Sequence, residues 1–170
     1  GKSPSKLDMS RILSMNETYI KTIDEKDLFI HFKEYSAKYK KALDPSKEST
    51  LFKSMGFLKN KAKTLEDIFN NSQYLINDEI QIKDEDKRLV DDQSKLIIKD
   101  FIIKYEKLSS LNKESLEPVI KLLIEKHKTN FKGVGQPLRI GLVGSRFGPG
   151  LYDIILSLDK VEVIKRLNKI

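Results

Sequence analysis

Apolar residues recur along this chain at three-and-four spacing, the period of helices with one buried face. Asp8 is placed to cap a first helix whose face is Met9, Ile12, Leu13, Tyr19, Ile20 and Ile23. Asp24, followed by Asp27, restarts the chain. Leu28, Phe32, Tyr35, Tyr39 and Ala42 then run toward a break at Asp44-Pro45. Beyond Pro45, Leu51, Met55, Leu58 and Ala62 predict a third helix. Thr64 with Asp67 three residues later is a capping signal for a fourth, on Leu65, Ile68 and Phe69.

From Asn77 to Asp92 the sequence turns polar and acidic and keeps no apolar face. A boundary is expected there, giving two small helical lobes, residues 1–80 and 81–170. In the second lobe Leu96, Ile98, Phe101, Ile102, Tyr105 and Leu108 predict a strongly apolar, central helix. Ser115 is expected to cap the next one. That choice keeps Pro118 in the first turn, where it breaks no hydrogen bond, and leaves Val119, Ile120, Leu122, Leu123 and Ile124 to pack. Lys126, His127 and Lys128 place charge where a helix C-terminus favours it. A last helix begins at Asp159, with Glu162 positioned to complete a capping box.

One stretch departs from this pattern. GVGQPLRIGLVGSRFGPGL, residues Gly133 to Leu151, gathers six glycines, two prolines and two arginines and has no acid. Its RIGLVG segment looks like a strand leading into a phosphate loop. However, Gly150 is followed by Leu151 and Tyr152 rather than Lys and Ser or Thr, and no G-x-G-x-x-G spacing occurs. The alternative places Pro137 in the first turn of a short helix, Gly144 just past its end, and Pro149 at the opening of another. Ser145-Arg146-Phe147-Gly148 then forms a turn off a helix end. It offers N–H groups, a guanidinium and an aromatic face together, which suits unstacked bases and phosphates.

Charge changes the picture further. Thirty-two Lys and Arg against twenty-five Asp and Glu give a formal net charge of +7, a field that attracts polyanions. RNA is the expected partner, although charge alone fits DNA, anionic lipid or an acidic protein as well. Lys53, Lys59, Lys61 and Lys63 form a basic stripe beside the third helix, facing solvent or RNA. Cysteine is absent, so disulfide and thiol chemistry are excluded, which fits a cytoplasmic location. No apolar run reaches the roughly twenty residues of a membrane span.

No catalytic constellation is visible, and no metal site is expected. His31 and His127 lack the partners of a ligand set. Asp84 and Asp86 are read as carboxylates favoured at a helix start rather than as metal ligands.

PLRIGLVGSRFGPGLYDIILSLDKVEVIKRL resembles the C-terminal signature of bacterial glutamyl-tRNA synthetases, and two upstream stretches agree. KSPSKLDMSRILSMNETYIK resembles the segment after that family's catalytic domain. NKAKTLEDIFNNSQYLI resembles its next block. The resemblance implies an all-α fold of two small lobes, of the class I glutamyl-tRNA synthetase anticodon-binding type. It also implies a piece of a glutamate-tRNA ligase, since the family's His-Ile-Gly-His-like and Lys-Met-Ser-Lys-Ser-like catalytic signatures are missing here. Gly1 in the place of Met fits a cut piece. The piece needs no cofactor, while ATP and magnesium serve the catalytic domain of the parent enzyme. The expected partner is glutamate tRNA, with glutamine tRNA as a second substrate of the parent, and the expected state is a monomer.

The family's anticodon contacts fall on Arg139 and on Gly148, Pro149 and Leu151 of the following turn. Ser145, Arg146 and Phe147 join them on their chemistry alone, Phe147 as a stacking surface. Lys53, Lys59 and Lys63 are assigned to the tRNA backbone. Lys61 stands where glutamate-discriminating relatives carry an arginine that reads the third anticodon base. Two further departures are Asp159-Lys160 in place of Gly-Lys, and Met15 in place of a tryptophan. A basic helical protein-interaction domain with no RNA role remains the alternative, and the two separate by whether anticodon stem-loop RNA binds and whether salt weakens that binding.

Overall fold

Most helices of this chain begin where a short polar side chain replaces the acceptor that the first backbone N–H groups lack. The computed structural model describes residues 15–170, and every regular element among them is helical. The chain divides into two compact units, residues 1–78 and 79–170.

The first unit contains α1 (Glu17–Thr22), α2 (Glu25–Tyr39), α3 (Pro45–Leu58), a 3-10 turn (Lys59–Lys61), α4 (Leu65–Asn71) and α5 (Gln73–Ile76). Asn16, Asp24, Asp44 and Thr64 cap α1 to α4 through their side chains, and Thr64 with Asp67 forms the expected capping box. The Asp8 cap and the positions Met9, Ile12 and Leu13 lie outside the described residues. In the described part the helix starts afresh at Asn16 instead of continuing from upstream. α2 also ends earlier than its apolar spacing suggested. The Ser36 hydroxyl donates to the Lys41 carbonyl at 2.6 Å and turns the chain, so Ala42 is off the helix and exposed, and Tyr39 is only partly covered. Leu28, Phe32, Leu51, Met55 and Ile68 are fully buried and make the core.

The second unit contains α6 (Asp84–Lys87), α7 (Asp92–Glu106), α8 (Lys113–Lys126), α9 (Phe131–Val143), α10 (Leu151–Ser157) and α11 (Lys160–Leu167). α9 packs against α7, α8, α10 and α11 and is the centre of the unit. Leu96 and Leu122, expected in the core, are exposed at 57% and 48%, while Ile97 is buried. The apolar stripes are wider than the faces that α9 covers.

Three expected helix starts differ. α8 is capped by Asn112, whose side chain accepts the Ser115 N–H at 2.8 Å while the Ser115 hydroxyl accepts the Asn112 N–H. Pro118 therefore lies in the second turn. It is exposed there, so water can take the Glu114 carbonyl that loses its donor. α9 begins at Asn130, seven residues before Pro137, which sits buried in mid-helix. Packing on four neighbours overrides the poor helix propensity of its glycines. α10 begins after Gly150 rather than at Pro149. At α11 the start is Asp159 as expected, but its side chain makes no capping bond, and Glu162 is engaged by Arg166 instead.

Candidate nucleic-acid interface

The loop after α9 is held from three sides. Gly144 ends the helix in a left-handed turn at φ 84°, donating its N–H to the Ile140 carbonyl at 2.9 Å. A Cβ at that position would lie 2.6 Å from the Gln81 carbonyl oxygen, so only glycine allows the chain leading to α6 to pass so close. From α11, the buried Arg166 donates Nη1–H to the Leu142 carbonyl at 2.8 Å and Nε–H to Glu162 at 2.8 Å. This arginine satisfies one of the carbonyls left open at the end of α9 and brings its own counter-charge. Gly141 completes the arrangement, because a Cβ there would meet Leu167 at 2.9 Å.

Within the loop, the Ser145 hydroxyl accepts the Phe147 N–H at 3.0 Å, and Gly148 adopts φ 140°, a conformation side chains rarely reach. Phe147 is 70% exposed. The Arg146 guanidinium lies over its ring, 4.9 Å from the centroid, and Arg146 Nε is 3.7 Å from Asp86 Oδ1. On α9, Arg139 donates its Nε–H to the Pro149 carbonyl at 3.3 Å. Burial pushes its pKa down, yet a guanidinium starts so high that it stays charged near neutrality. Pro149 is buried. Leu151 is buried too, against Gly135. Ser145, Arg146, Phe147, Gly148 and Pro149 thus lie on one turn, to which Arg139 of α9 is tied through the Pro149 carbonyl, and Phe147 is the aromatic face this turn exposes.

In the first unit Lys53 and Lys63 are exposed, and Lys61 is exposed on the 3-10 turn. Lys59 differs. Its side chain is only 14% exposed, donates to the Ile23 carbonyl at 3.1 Å and pairs with Glu25 at 3.3 Å. That lysine ties α1 and α2 to the end of α3 instead of facing outward.

Sequence reasoning missed Asp86 and Arg166. The first reads as one of three acidic residues in a helix start, but it is 97% buried, by its 3% exposure. The second reads as one more cation of a final helix. Its signal was the pairing with Glu162 four residues earlier on an otherwise apolar face. Among the described residues no group of acids and histidines is arranged to hold a metal ion. His127 is taken up by Asp100 at 2.7 Å. No helix of the described residues is long and apolar enough to cross a membrane.

A family model described as an anticodon binding domain matches residues 10–170. A glutamate–tRNA ligase of Pelagibacter ubique is 60% identical over 171 residues, covering all of this chain and 37% of that protein. One from Syntrophus aciditrophicus is 30% identical over 171 residues, covering 99% of this chain and 36% of its own length. The chain thus spans little more than a third of the curated relatives it matches. A crystal structure of a glutamate tRNA ligase from Elizabethkingia meningosepticum shares the fold, with a TM-score of 0.73 at 22% identity over 91% of this chain and 30% of its own. With a helical fold throughout its described residues and a family match running from residue 10 to its last residue, this chain belongs to the anticodon-binding domain family.

Proposed function

We propose that this chain is the tRNA-binding part of a glutamate-tRNA ligase and grips the anticodon arm so that the distant acceptor end reaches a catalytic domain. The supporting observation is the turn after α9. Phe147, 70% exposed, rests on Arg146, and Arg139 holds the carbonyl of Pro149 two residues on, in a chain of the anticodon-binding family. The chemistry divides between two kinds of contact. Lysines such as Lys53 and Lys63 meet phosphates and supply salt-dependent affinity without sequence information. Arg139 and the loop backbone at Gly148 to Leu151 meet splayed bases and supply identity, while the Phe147 face stacks on a base without reading it. Activation of glutamate with ATP and magnesium belongs to the catalytic part of such a ligase, and the work is cytoplasmic, by a monomer.

The test is titration with glutamate tRNA or its anticodon stem-loop. Affinity should fall steeply as salt rises, and indifference to RNA at low salt refutes the reading.

Lys61 carries a finer proposal. An arginine fork fixes two acceptors of one base, whereas lysine is a mobile point charge that donates to acceptors on cytosine or guanine alike. The parent ligase therefore tolerates glutamine tRNA, whose third anticodon base is guanine in place of cytosine. Two stem-loops differing only at that base test it. A preference for cytosine above about tenfold, or 1.4 kcal/mol, overturns loosened discrimination.

A further inference from the structure

Asp86 stands out in the second unit. Its side chain is 4% exposed, and its Oδ1 is buried without a hydrogen bond. A buried carboxylate oxygen in that condition is rare and calls for a reason. The reason lies 3.7 Å away, at Nε of Arg146. The same guanidinium covers the Phe147 ring at 4.9 Å, and that ring is the most exposed aromatic side chain of the described residues at 70%. The segment leading into α6 also touches the base of this loop, through the Gln81 carbonyl that presses on Gly144. One stretch of chain, residues 81–86, therefore supports the loop at its root and beneath its tip.

We propose that Asp86 is a positioning residue for RNA binding, whose carboxylate holds the Arg146 guanidinium beneath the Phe147 ring so that the ring's outer face is a ready platform for one unpaired base. An arginine at a loop tip without an anchored anion samples many rotamers, and an exposed phenylalanine does likewise. Asp86 removes that freedom before RNA arrives, so less ordering entropy is lost on binding. Its charge also offsets that of Arg146. Arg146 then acts as the underside of a stack, with the base on the far face of the ring, rather than as a phosphate grip. Stacking of this kind reads no hydrogen-bond pattern and tolerates any base at that position.

The inference rests on the RNA-binding reading, and the experiment keeps the two apart. The full chain is titrated with the glutamate anticodon stem-loop carrying 2-aminopurine at each loop position in turn, for the parent and for Asp86→Asn, Asp86→Ser, Arg146→Ala, Phe147→Ala and the Asp86→Asn/Arg146→Ala pair. In the parent, one position should be quenched. Asp86→Asn and Arg146→Ala should each abolish most of that quenching, as Phe147→Ala does, and weaken binding roughly fivefold. Their combination should be no worse than either alone, and the salt dependence should match the parent's, since no phosphate contact is lost. A merely structural acid would instead lower the urea midpoint and leave the quenching of the folded fraction intact. Parent-like quenching in whichever Asp86 variant folds overturns the proposal while leaving RNA binding standing, and failure of both variants to fold overturns it too. A parent chain that binds no RNA removes the functional reading itself.

Discussion

Replacing Arg139 with alanine separates its two tasks, because the structure sets a limit on one of them. Its Nε–H donates to the Pro149 carbonyl at 3.3 Å, longer than a good N–H···O bond, so losing it should destabilise the second unit by about 1 kcal/mol. Lost packing of the half-buried stem adds a similar amount, about 1 kcal/mol. For a domain of this size that lowers the melting midpoint by about 8–16 °C, and a stability of ordinary magnitude leaves the chain folded at room temperature. Loss of a base contact is the larger signal there, at about 1–3 kcal/mol or roughly 5- to 150-fold in Kd. Anisotropy of a labelled anticodon stem-loop at fixed salt reads it. Arg139→Lys should keep the salt dependence yet recover less than half of the lost binding energy, because the planar fork is gone. A contribution through Pro149 alone would make Arg139→Ala and Phe147→Ala non-additive, since both would then act on the same turn. If Arg139→Ala lowers the midpoint but binds RNA within about twofold of the parent, the arginine is a strut for Pro149 and no part of the interface.

Gly144→Ala places a Cβ 2.6 Å from the Gln81 carbonyl oxygen at φ 84°, so strain and crowding together should remove about 2–4 kcal/mol of stability; a urea midpoint consistent with less than about 1 kcal/mol refutes the close approach. Lys59→Ala should destabilise the first unit by about 1 kcal/mol through the lost bond to the Ile23 carbonyl, yet change RNA affinity less than Lys53→Ala does, as paired titrations would reveal. Asp100 is held below the usual carboxylate range first by the Lys126 hydrogen bond and then by His127, with burial opposing them. Because its folded pKa is depressed, its contribution is full above the ordinary carboxylate pKa and is lost as pH falls through the folded value. The denaturation midpoint of Asp100→Asn should therefore fall less steeply between about pH 5 and about pH 3 than that of the parent.

Periodicity made the fold legible wherever a cap and an apolar stripe agreed. Asp24, Asp44-Pro45, Thr64-Asp67 and Gly144 all mark real helix ends, because each supplies a local bond or conformation that its neighbours cannot. It misled where packing overruled local preference. Gly133 and Gly135 read as lying before the helix and Pro137 as its first turn, but α9 runs straight through all three, since close packing, by Leu151 at Gly135 and by Leu167 at Gly141, is worth more than backbone propensity. Leu96 erred in the opposite direction. Its spacing fits the buried stripe, yet its helix already covers α9 with Ile97, Ile98 and Phe101.

The candidate site was legible as a composition, a turn of arginine, phenylalanine and glycine, because those residue types have few other uses together. Its supports were not. Asp86 and Arg166 act across about sixty and twenty-four positions of sequence, on Arg146 and on the Leu142 carbonyl, and no local pattern encodes a partner so distant. Lys59 fails for the same reason. Beside Lys53, Lys61 and Lys63 it looks like one more surface cation, while its carbonyl partner belongs to Ile23, thirty-six residues earlier. Charge patterns along a chain thus count cations without saying which are already engaged. The distinction bears on the proposed function, in which an engaged cation shapes a surface while exposed ones such as Lys53 and Lys63 meet phosphate. Arg166 and Lys59 shape. Arg146 sits between the two, drawn to a buried acid on one side and stacked against an open ring on the other, which is the double engagement that the proposed base platform requires.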